Sequence, residues 1–200
     1  MALAQTALEA DLLGIFLVMN SIMDGSGNDY KAAEMSKAIK KYISTGITTT
    51  KDSGTALGGP YEGVGSGKMA IDTGSLEAAL KATFAKGSDD PLLASNMAAD
   101  IDNVCTAVDT VTETSDGVAI TGNGPVIFSG PAIGKFAGDK SIISGGLAAC
   151  FQAMKSMMGG GNEYYARQMS ACLTAYLKDG DIQVELKSPF ASGNGIGKIA

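Results

Sequence analysis

The chain has 200 residues, 45 % hydrophobic and 18 % charged, a balance typical of a globular protein with a buried core. Glycine is abundant at 27 residues, yet only five prolines and no three-residue period exclude a collagen helix. The absence of histidine excludes Ser-His-Asp and Cys-His catalysis and His-containing metal sites within this chain, and the net charge of −6 disfavours nucleic acid and anionic membranes as partners.

The first third of the chain predicts two helices followed by a β-rich arm. A helix over about 3–23 precedes a Gly-containing turn, and Asn28 is the predicted N-cap of a second helix. A strand rich in Thr and Ile over 47–50 then leads into a Gly- and Pro-rich arm. The second helix has one apolar face, spaced i, i+4, i+7 and i+8, formed by Met35, Ile39, Tyr42 and Ile43. The arm ends on Gly67-Lys68-Met69-Ala70.

The middle third repeats this order. A helix over about 75–85 is followed by Asp90 as predicted N-cap and by the same apolar spacing at Met97, Ile101, Val104 and Cys105. After a strand at 108–112, the arm over 114–136 is the longest of the three and contains an Asn-Gly-Pro turn signal at 123–125. This arm is therefore the one that most favours a β-hairpin. It ends on Gly134-Lys135-Phe136-Ala137.

The last third shows the pattern again and ends with it. A helix over about 147–158, the predicted N-cap Asn162 and an alternating strand at 182–187 come in the same order. The apolar face is Met169, Leu173, Tyr176 and Leu177, and the closing segment is Gly197-Lys198-Ile199-Ala200. The sequence thus predicts an α+β fold of three tandem repeats, 1–70, 71–137 and 138–200, in a pseudo-threefold arrangement dominated by helix.

The Gly-Lys segments have three interpretations. The segment Gly63–Lys68 superficially resembles a phosphate-binding loop, but Glu62 and Met69 stand where that loop needs glycine and a hydroxyl residue. Flexible linkers are the second interpretation. The recurrence of Gly-Lys-apolar-Ala at residues 197–200 favours the third, docking of the repeats onto each other and onto neighbouring chains. Met69, Phe136 and Ile199 would then set the register and Lys68, Lys135 and Lys198 would lie along a surface, beside Gly67, Gly134 and Gly197.

Cysteines and carboxylates give no site with a recognisable chemistry. Cys105, Cys150 and Cys172 lack metal-site spacing and lie in apolar stretches, which favours small hydrophobes over an intersubunit disulfide or a Cys150–Cys172 bridge. Asp100 and Asp102 are two positions apart on one helix, so with Asp109 they are interpreted as a solvated helix face. We expect no cofactor, no metal and no enzymatic activity.

A helical hairpin followed by a Gly-rich β arm ending in Gly-x-Gly-Lys-apolar resembles small virion structural proteins of tailed bacteriophages. The resemblance rests on Gly63-Val-Gly65-Ser-Gly67-Lys68, on Gly193-Asn-Gly195-Ile-Gly197-Lys198 and on the Met-centred helices before them. The middle repeat departs from it, because Ser129-Gly-Pro-Ala-Ile133 replaces the alternating glycines. The resemblance implies a non-enzymatic tail or baseplate component that assembles in the host cytoplasm into the virion and binds other virion proteins and copies of itself.

Two further structural roles and one chemical role stay open on the sequence. A capsid decoration protein and a cellular repeat scaffold that binds a peptide both fit a chain of tandem repeats. An enzyme or small-ligand protein fits least, because histidine is missing and the chain is tandemly repeated. The N-terminal apolar run is too short for a membrane span and lacks a basic flank, so we expect neither a membrane partner nor a secretion signal.

Overall fold

The computed structural model describes residues 3–56, 59–107, 111–121, 124–188 and 191–200, and their side chains outside 106–132 and 187–191. This part of the chain contains six helices and six strands, always two helices and then two strands. The helices are α1 (Gln5–Met19), α2 (Gly27–Ile43), α3 (Thr73–Phe84), α4 (Leu93–Ala107), α5 (Ser141–Met154) and α6 (Gly161–Asp179). The strands are β1 (Thr48–Ala56), β2 (Gly59–Lys68), β3 (Val111–Thr121), β4 (Gly124–Ala137), β5 (Asp181–Ser188) and β6 (Ala191–Ile199). The predicted α+β class is confirmed.

The six strands close into one antiparallel barrel in chain order. Each strand pairs with the next along the chain, and β6 returns to pair with β1, where Ile199 lies opposite Thr48. The loop after α2 continues this pairing, because Ile47 and Ala200 exchange backbone hydrogen bonds of 3.1 and 3.0 Å. The pairing of β4 with β5 covers Ala132–Ala137, and the earlier part of β4 pairs with β3.

Glycine lines the inside of this narrow barrel. Along β2 and β6 the odd-numbered residues face inward, and most of them are glycines, while the residues between them are exposed. A Cβ atom on Gly195 would overlap the Asp52 carboxylate, and one on Gly197 would overlap the Thr49 carbonyl oxygen. The alternating glycines of β6 are therefore required by the close approach of β1.

The helices form a second closed ring beside the barrel. Each helix packs against its neighbours in chain order, and α6 packs back against α1. The apolar stripes predicted for the second helices face inward: Met35, Ile39, Met97, Ile101, Met169 and Leu173 are all buried. Across the interior, the Tyr42 hydroxyl and Thr174 Oγ1 are 2.6 Å apart. Since Thr174 donates its own proton to the Ser170 carbonyl, Tyr42 is the donor of this buried bond.

The predicted N-caps are only partly correct. The second helices begin within three residues of Asn28, Asp90 and Asn162, and Asp90 does accept a 2.8 Å bond from the Leu92 amide. Asn28 and Asn162, however, lie inside the first turns of α2 and α6, whose N-cap residues Ser26 and Gly160 make no side-chain capping bond. Aspartates that the sequence patterns did not single out accept bonds from amides two residues later instead: Asp24, Asp72 and Asp139.

The three Gly-rich arms are strands rather than linkers. The sequence singled out the middle arm as the best hairpin, but β1 with β2, β3 with β4 and β5 with β6 all form antiparallel hairpins. Each of the predicted stretches 1–70, 71–137 and 138–200 contains two helices and two strands. They share one closed sheet, and described buried side chains from all three belong to one hydrophobic core cluster.

Candidate functional site

The three helix–helix loops meet at one end of the helical ring, here named the helical pole and defined by residues 20–26, 85–92 and 155–160. The second helix of each pair leads into the barrel, so these loops lie at the end away from it. Two contacts join the start of α2 to the end of α3, which border the first two loops: Asn28 Nδ2 donates to the Phe84 carbonyl at 3.2 Å, and Lys81 Nζ lies 2.7 Å from Asp29 Oδ2. One cavity below is lined by residues next to all three loops.

Each loop of the helical pole exposes at least one large apolar side chain, and the third loop exposes a second one, Met157, which is 38 % exposed. Met23 in the first loop is 96 % exposed, Leu92 in the second is 58 % exposed, and Met158 in the third is fully exposed. An apolar side chain with no packing partner gains free energy only when another surface covers it. Three such side chains at one end of the molecule, one from each loop, make the helical pole a candidate interaction surface.

Below the pole, Lys31 is mostly buried among aromatic rings. Its Nζ lies 4.3 Å from the ring centre of Phe84, 5.1 Å from that of Tyr165 and 5.5 Å from that of Phe16. Phe16 and Tyr165 stack in parallel with their ring centres 4.5 Å apart. Aromatic faces attract a cation, but they accept no conventional hydrogen bond from it. Burial lowers the pKa of the Lys31 ammonium to about 8.

Lys31 opens into a cavity of about 350 Å³ between the loops. Its inner wall contains the buried side chains of Phe16, Leu93 and Tyr165, and its mouth carries the exposed residues Ser88, Asp89 and Lys155. This volume lies within the range of small-molecule binding pockets in proteins. A second cavity of about 460 Å³ lies between α1 and α2, where the lining lysines Lys37 and Lys41 pair with Glu34 and Asp11.

Replacing Lys31 with methionine is expected to stabilise the protein at neutral pH by about 1–3 kcal/mol, because the variant no longer buries a charge. The folded-state pKa of about 8 lies below the ordinary value of 10.5, so between these values the unfolded chain binds more protons. Stability of the parent chain should therefore rise with pH across this window relative to Lys31→Met. Urea unfolding of both chains between pH 7 and 10 measures the difference, and parallel curves would contradict the prediction.

The predicted Gly-Lys residues divide between the core and the surface. Met69, Phe136 and Ile199 are each at most 3 % exposed, and so belong to the core. The lysines between glycine and the apolar residue are exposed, and the glycines lie partly or fully buried in their strands: Lys68, Lys135 and Lys198, with Gly67, Gly134 and Gly197. Their role in binding other chains stays a prediction, and the geometry restricts it to the lysines, because the apolar side chains face inward.

Two of these apolar side chains pack against glycines at helix–strand junctions elsewhere in the chain. Phe136, at the end of β4, lies against Gly180 between α6 and β5 and makes an edge-on contact with Tyr176 at 5.3 Å. Ile199, at the end of β6, lies against Gly46 between α2 and β1. Each of these two closing segments therefore contacts a different helix–strand junction from the one that precedes it in the chain.

The candidate carboxylates and thiols have structural surroundings. Asp100 accepts a 2.6 Å bond from the Thr83 hydroxyl and Asp102 a 2.8 Å bond from the Tyr176 hydroxyl. Both carboxylates are half-buried, so the interpretation as a solvated face is wrong for them, and Asp109 lies outside the described residues. The three cysteines, Cys105, Cys150 and Cys172, are buried and form no disulfide. Burial raises the pKa of Cys150 to about 11, which leaves it protonated and unreactive at neutral pH.

Sequence reasoning did not identify Lys31. It stands four residues before Met35, and the residues four before Met97 and Met169 are Leu93 and Tyr165. The available signal was that this position holds a lysine in α2 but an apolar or aromatic residue in α4 and α6. The side chains of Lys31, Leu93 and Tyr165 all line the same cavity.

No known family, curated protein or solved structure matches this chain. The likeness to small tailed-phage virion proteins stays a prediction. Within the described ranges, no helix combines the length and apolar character needed to cross a membrane. The same ranges contain no cluster of three or more metal-binding side chains.

Proposed function

We propose that the protein is a non-enzymatic structural component of a virus particle that docks through its helical pole. The observation that carries the proposal is the set of three exposed apolar side chains, Met23, Leu92 and Met158, one on each helix–helix loop. Three similar contacts around one end of a ring suit a partner with threefold symmetry, as occurs in symmetric assemblies. A tail or baseplate position fits such a partner.

The proposal includes three tandem units built on one plan. Support comes from the spacing of apolar residues in the first helices, where buried positions recur after 68 and then 67 residues, with Phe151 half-buried. The corresponding sets are Leu8, Leu76 and Ile143; Leu12, Leu80 and Leu147; and Phe16, Phe84 and Phe151. A single chain of this kind would act as a fused trimer, presenting three related surfaces without depending on protein concentration for assembly.

The Gly-Lys segments have a defined part in this arrangement. In the proposed units, Phe136 of the second unit packs on the third, and Ile199 of the third packs on the first. These contacts hold the units together within one chain, while Lys68, Lys135 and Lys198 stay on the outer surface. The Gly-Lys segments thus connect the units to each other, whereas the helical pole docks onto the particle.

The particle role is tested by locating the protein. Particles banded by density from cultures that produce this chain should contain it in a fixed ratio to the major structural protein, measured by quantitative mass spectrometry. Absence from washed particles would overturn the proposal. Labelling at the tail supports the tail or baseplate position, and even labelling over the head would assign it instead to capsid decoration.

The triple variant Met23→Gln, Leu92→Gln, Met158→Gln is expected to bind particles at least 100-fold more weakly than the parent. Covering one large apolar side chain contributes about 1.5–3 kcal/mol, so the loss of three is far above this threshold. Cosedimentation with particles that lack the protein measures the effect. The matched control is Val64→Gln with Ile196→Gln, two side chains 63 % and 65 % exposed on the barrel. Equal binding by the triple variant and the parent would contradict docking through the pole.

A further inference from the structure

Among the side chains that the structure describes, the Lys31 ammonium has no anionic partner. Among the described residues, no carboxylate lies within ion-pair distance of its Nζ: the neighbouring acid Asp29 pairs with Lys81, and Glu34 pairs with Lys37. Three aromatic rings surround the ammonium and compensate part of its lost hydration. A buried ammonium whose N–H groups still need hydrogen-bond acceptors favours an anion on the side that faces the cavity.

The open side of Lys31 is the 350 Å³ cavity, whose lining defines the chemistry of an occupant. Among the described lining residues there are two bases, Lys31 and Lys155, and one acid, Asp89. The local balance is therefore positive, in a chain whose net charge is −6. Such a site favours anions even though the chain as a whole is negatively charged. The attraction between close charges in a poorly hydrated site is stronger than the repulsion from distant charges, which salt screens.

Apart from the polar side chains of Ser88 and Asn162, the rest of the lining is apolar or aromatic. Side chains from α1, α4, α5 and α6 supply rings and thioethers on the walls: Phe16, Met19, Leu93, Phe151, Met154 and Tyr165. An inorganic anion would leave these walls in contact with water. An organic anion with a hydrocarbon body covers them and brings its charge to Lys31 at the same time.

We propose that this cavity binds a small organic carboxylate with an apolar body, whose carboxylate pairs with the Lys31 ammonium. The hydrocarbon part lies along Phe151 and Met154 towards the mouth. Asn162, which also lines the cavity, is placed to donate a second hydrogen bond to the anion. Such a ligand contacts none of Met23, Leu92 and Met158, although the cavity mouth at Ser88, Asp89 and Lys155 belongs to the helical pole, so its binding is tested on the chain free of particles.

Octanoate is the probe, titrated into the full chain by isothermal calorimetry at pH 7. Octan-1-ol and octylammonium carry the same hydrocarbon without the negative charge, and acetate carries the charge without the hydrocarbon. Octanoate is expected to bind at least tenfold more tightly than each of these three. Equal binding of octanoate and octan-1-ol would overturn the proposal without the need for any variant, as would no octanoate binding at all.

The variant Lys31→Met is expected to weaken octanoate binding at least tenfold while leaving the weak binding of octan-1-ol unchanged. The matched control is Lys37→Met, which removes the same charge from the exposed face of α2. If both variants bind octanoate as the parent does, or both weaken it equally, the cavity lysine does not hold the carboxylate and the proposal fails. Lys155→Met provides a second variant at the exposed mouth, with a smaller expected loss.

Discussion

Replacing Gly197 with alanine should lower the free energy of unfolding by about 3 kcal/mol or more. The new methyl group would overlap the Thr49 carbonyl oxygen and the backbone of Thr50 on the neighbouring strand. Neither group is a flexible side-chain end that can rotate away, so β1 and β6 must separate where they close the barrel. Overpacking of this kind is among the costly substitutions in protein interiors.

Gly145→Ala is the matched control for this prediction. Gly145 lies in α5 with no atom near the position of an added Cβ. Alanine there should raise the free energy of unfolding by about 0.5–1 kcal/mol, because glycine disfavours the helix. Urea unfolding followed by circular dichroism measures both variants. If Gly197→Ala costs no more than 1 kcal/mol, the strands do not approach each other as closely as described.

Deleting Ile199 and Ala200 should destabilise the whole fold by about 3–5 kcal/mol. Ile199 is 3 % exposed, and loss of a buried isoleucine side chain alone costs about 2–5 kcal/mol. The deletion also removes the two backbone bonds between Ala200 and Ile47, at the junction of α2 and β1. The truncated chain should unfold at lower urea concentration in a single transition, with helix and sheet lost together.

The sequence alone favoured a different outcome for this truncation. A docking arm that only contacts other molecules could be shortened with the helices intact and association weakened. The structure predicts loss of stability first, since Ile199 belongs to the core. Ile196→Ala separates the two views, because Ile196 is 65 % exposed and its loss should change stability by less than about 0.5 kcal/mol. Unchanged stability after the deletion would restore the loose-arm interpretation.

The helices were the part of the fold that local patterns predicted well. An apolar stripe such as Met35, Ile39 and Ile43 has the period of a helix, and its burial needs only that some other surface covers it. The helix starts were less accurate. Asn28 was a reasonable N-cap by residue type, but its amide serves the Phe84 carbonyl, 56 positions away, and no local rule contains that contact.

The candidate site depended on contacts between distant segments. Lys31, Phe84 and Tyr165 come from three helices, and only the ring of helices places the ammonium over those rings. The exposed Met23 and Met158 were likewise indistinguishable from core methionines by composition, because exposure is a property of the assembled fold.

By itself the sequence determined that the chain alternates helical pairs with Gly-rich β segments and that histidine chemistry is absent, since periodicity, turn residues and composition are local properties. Only the tertiary structure decided that Gly195 and Gly197 line a barrel and that Ile199 lies in its core. Those outcomes follow from β6 pairing with β1 across nearly the whole chain. Closure brings the strands so near to each other that backbone oxygens occupy the space where side chains would stand, and that distance is fixed by packing rather than by any neighbouring residue in the sequence.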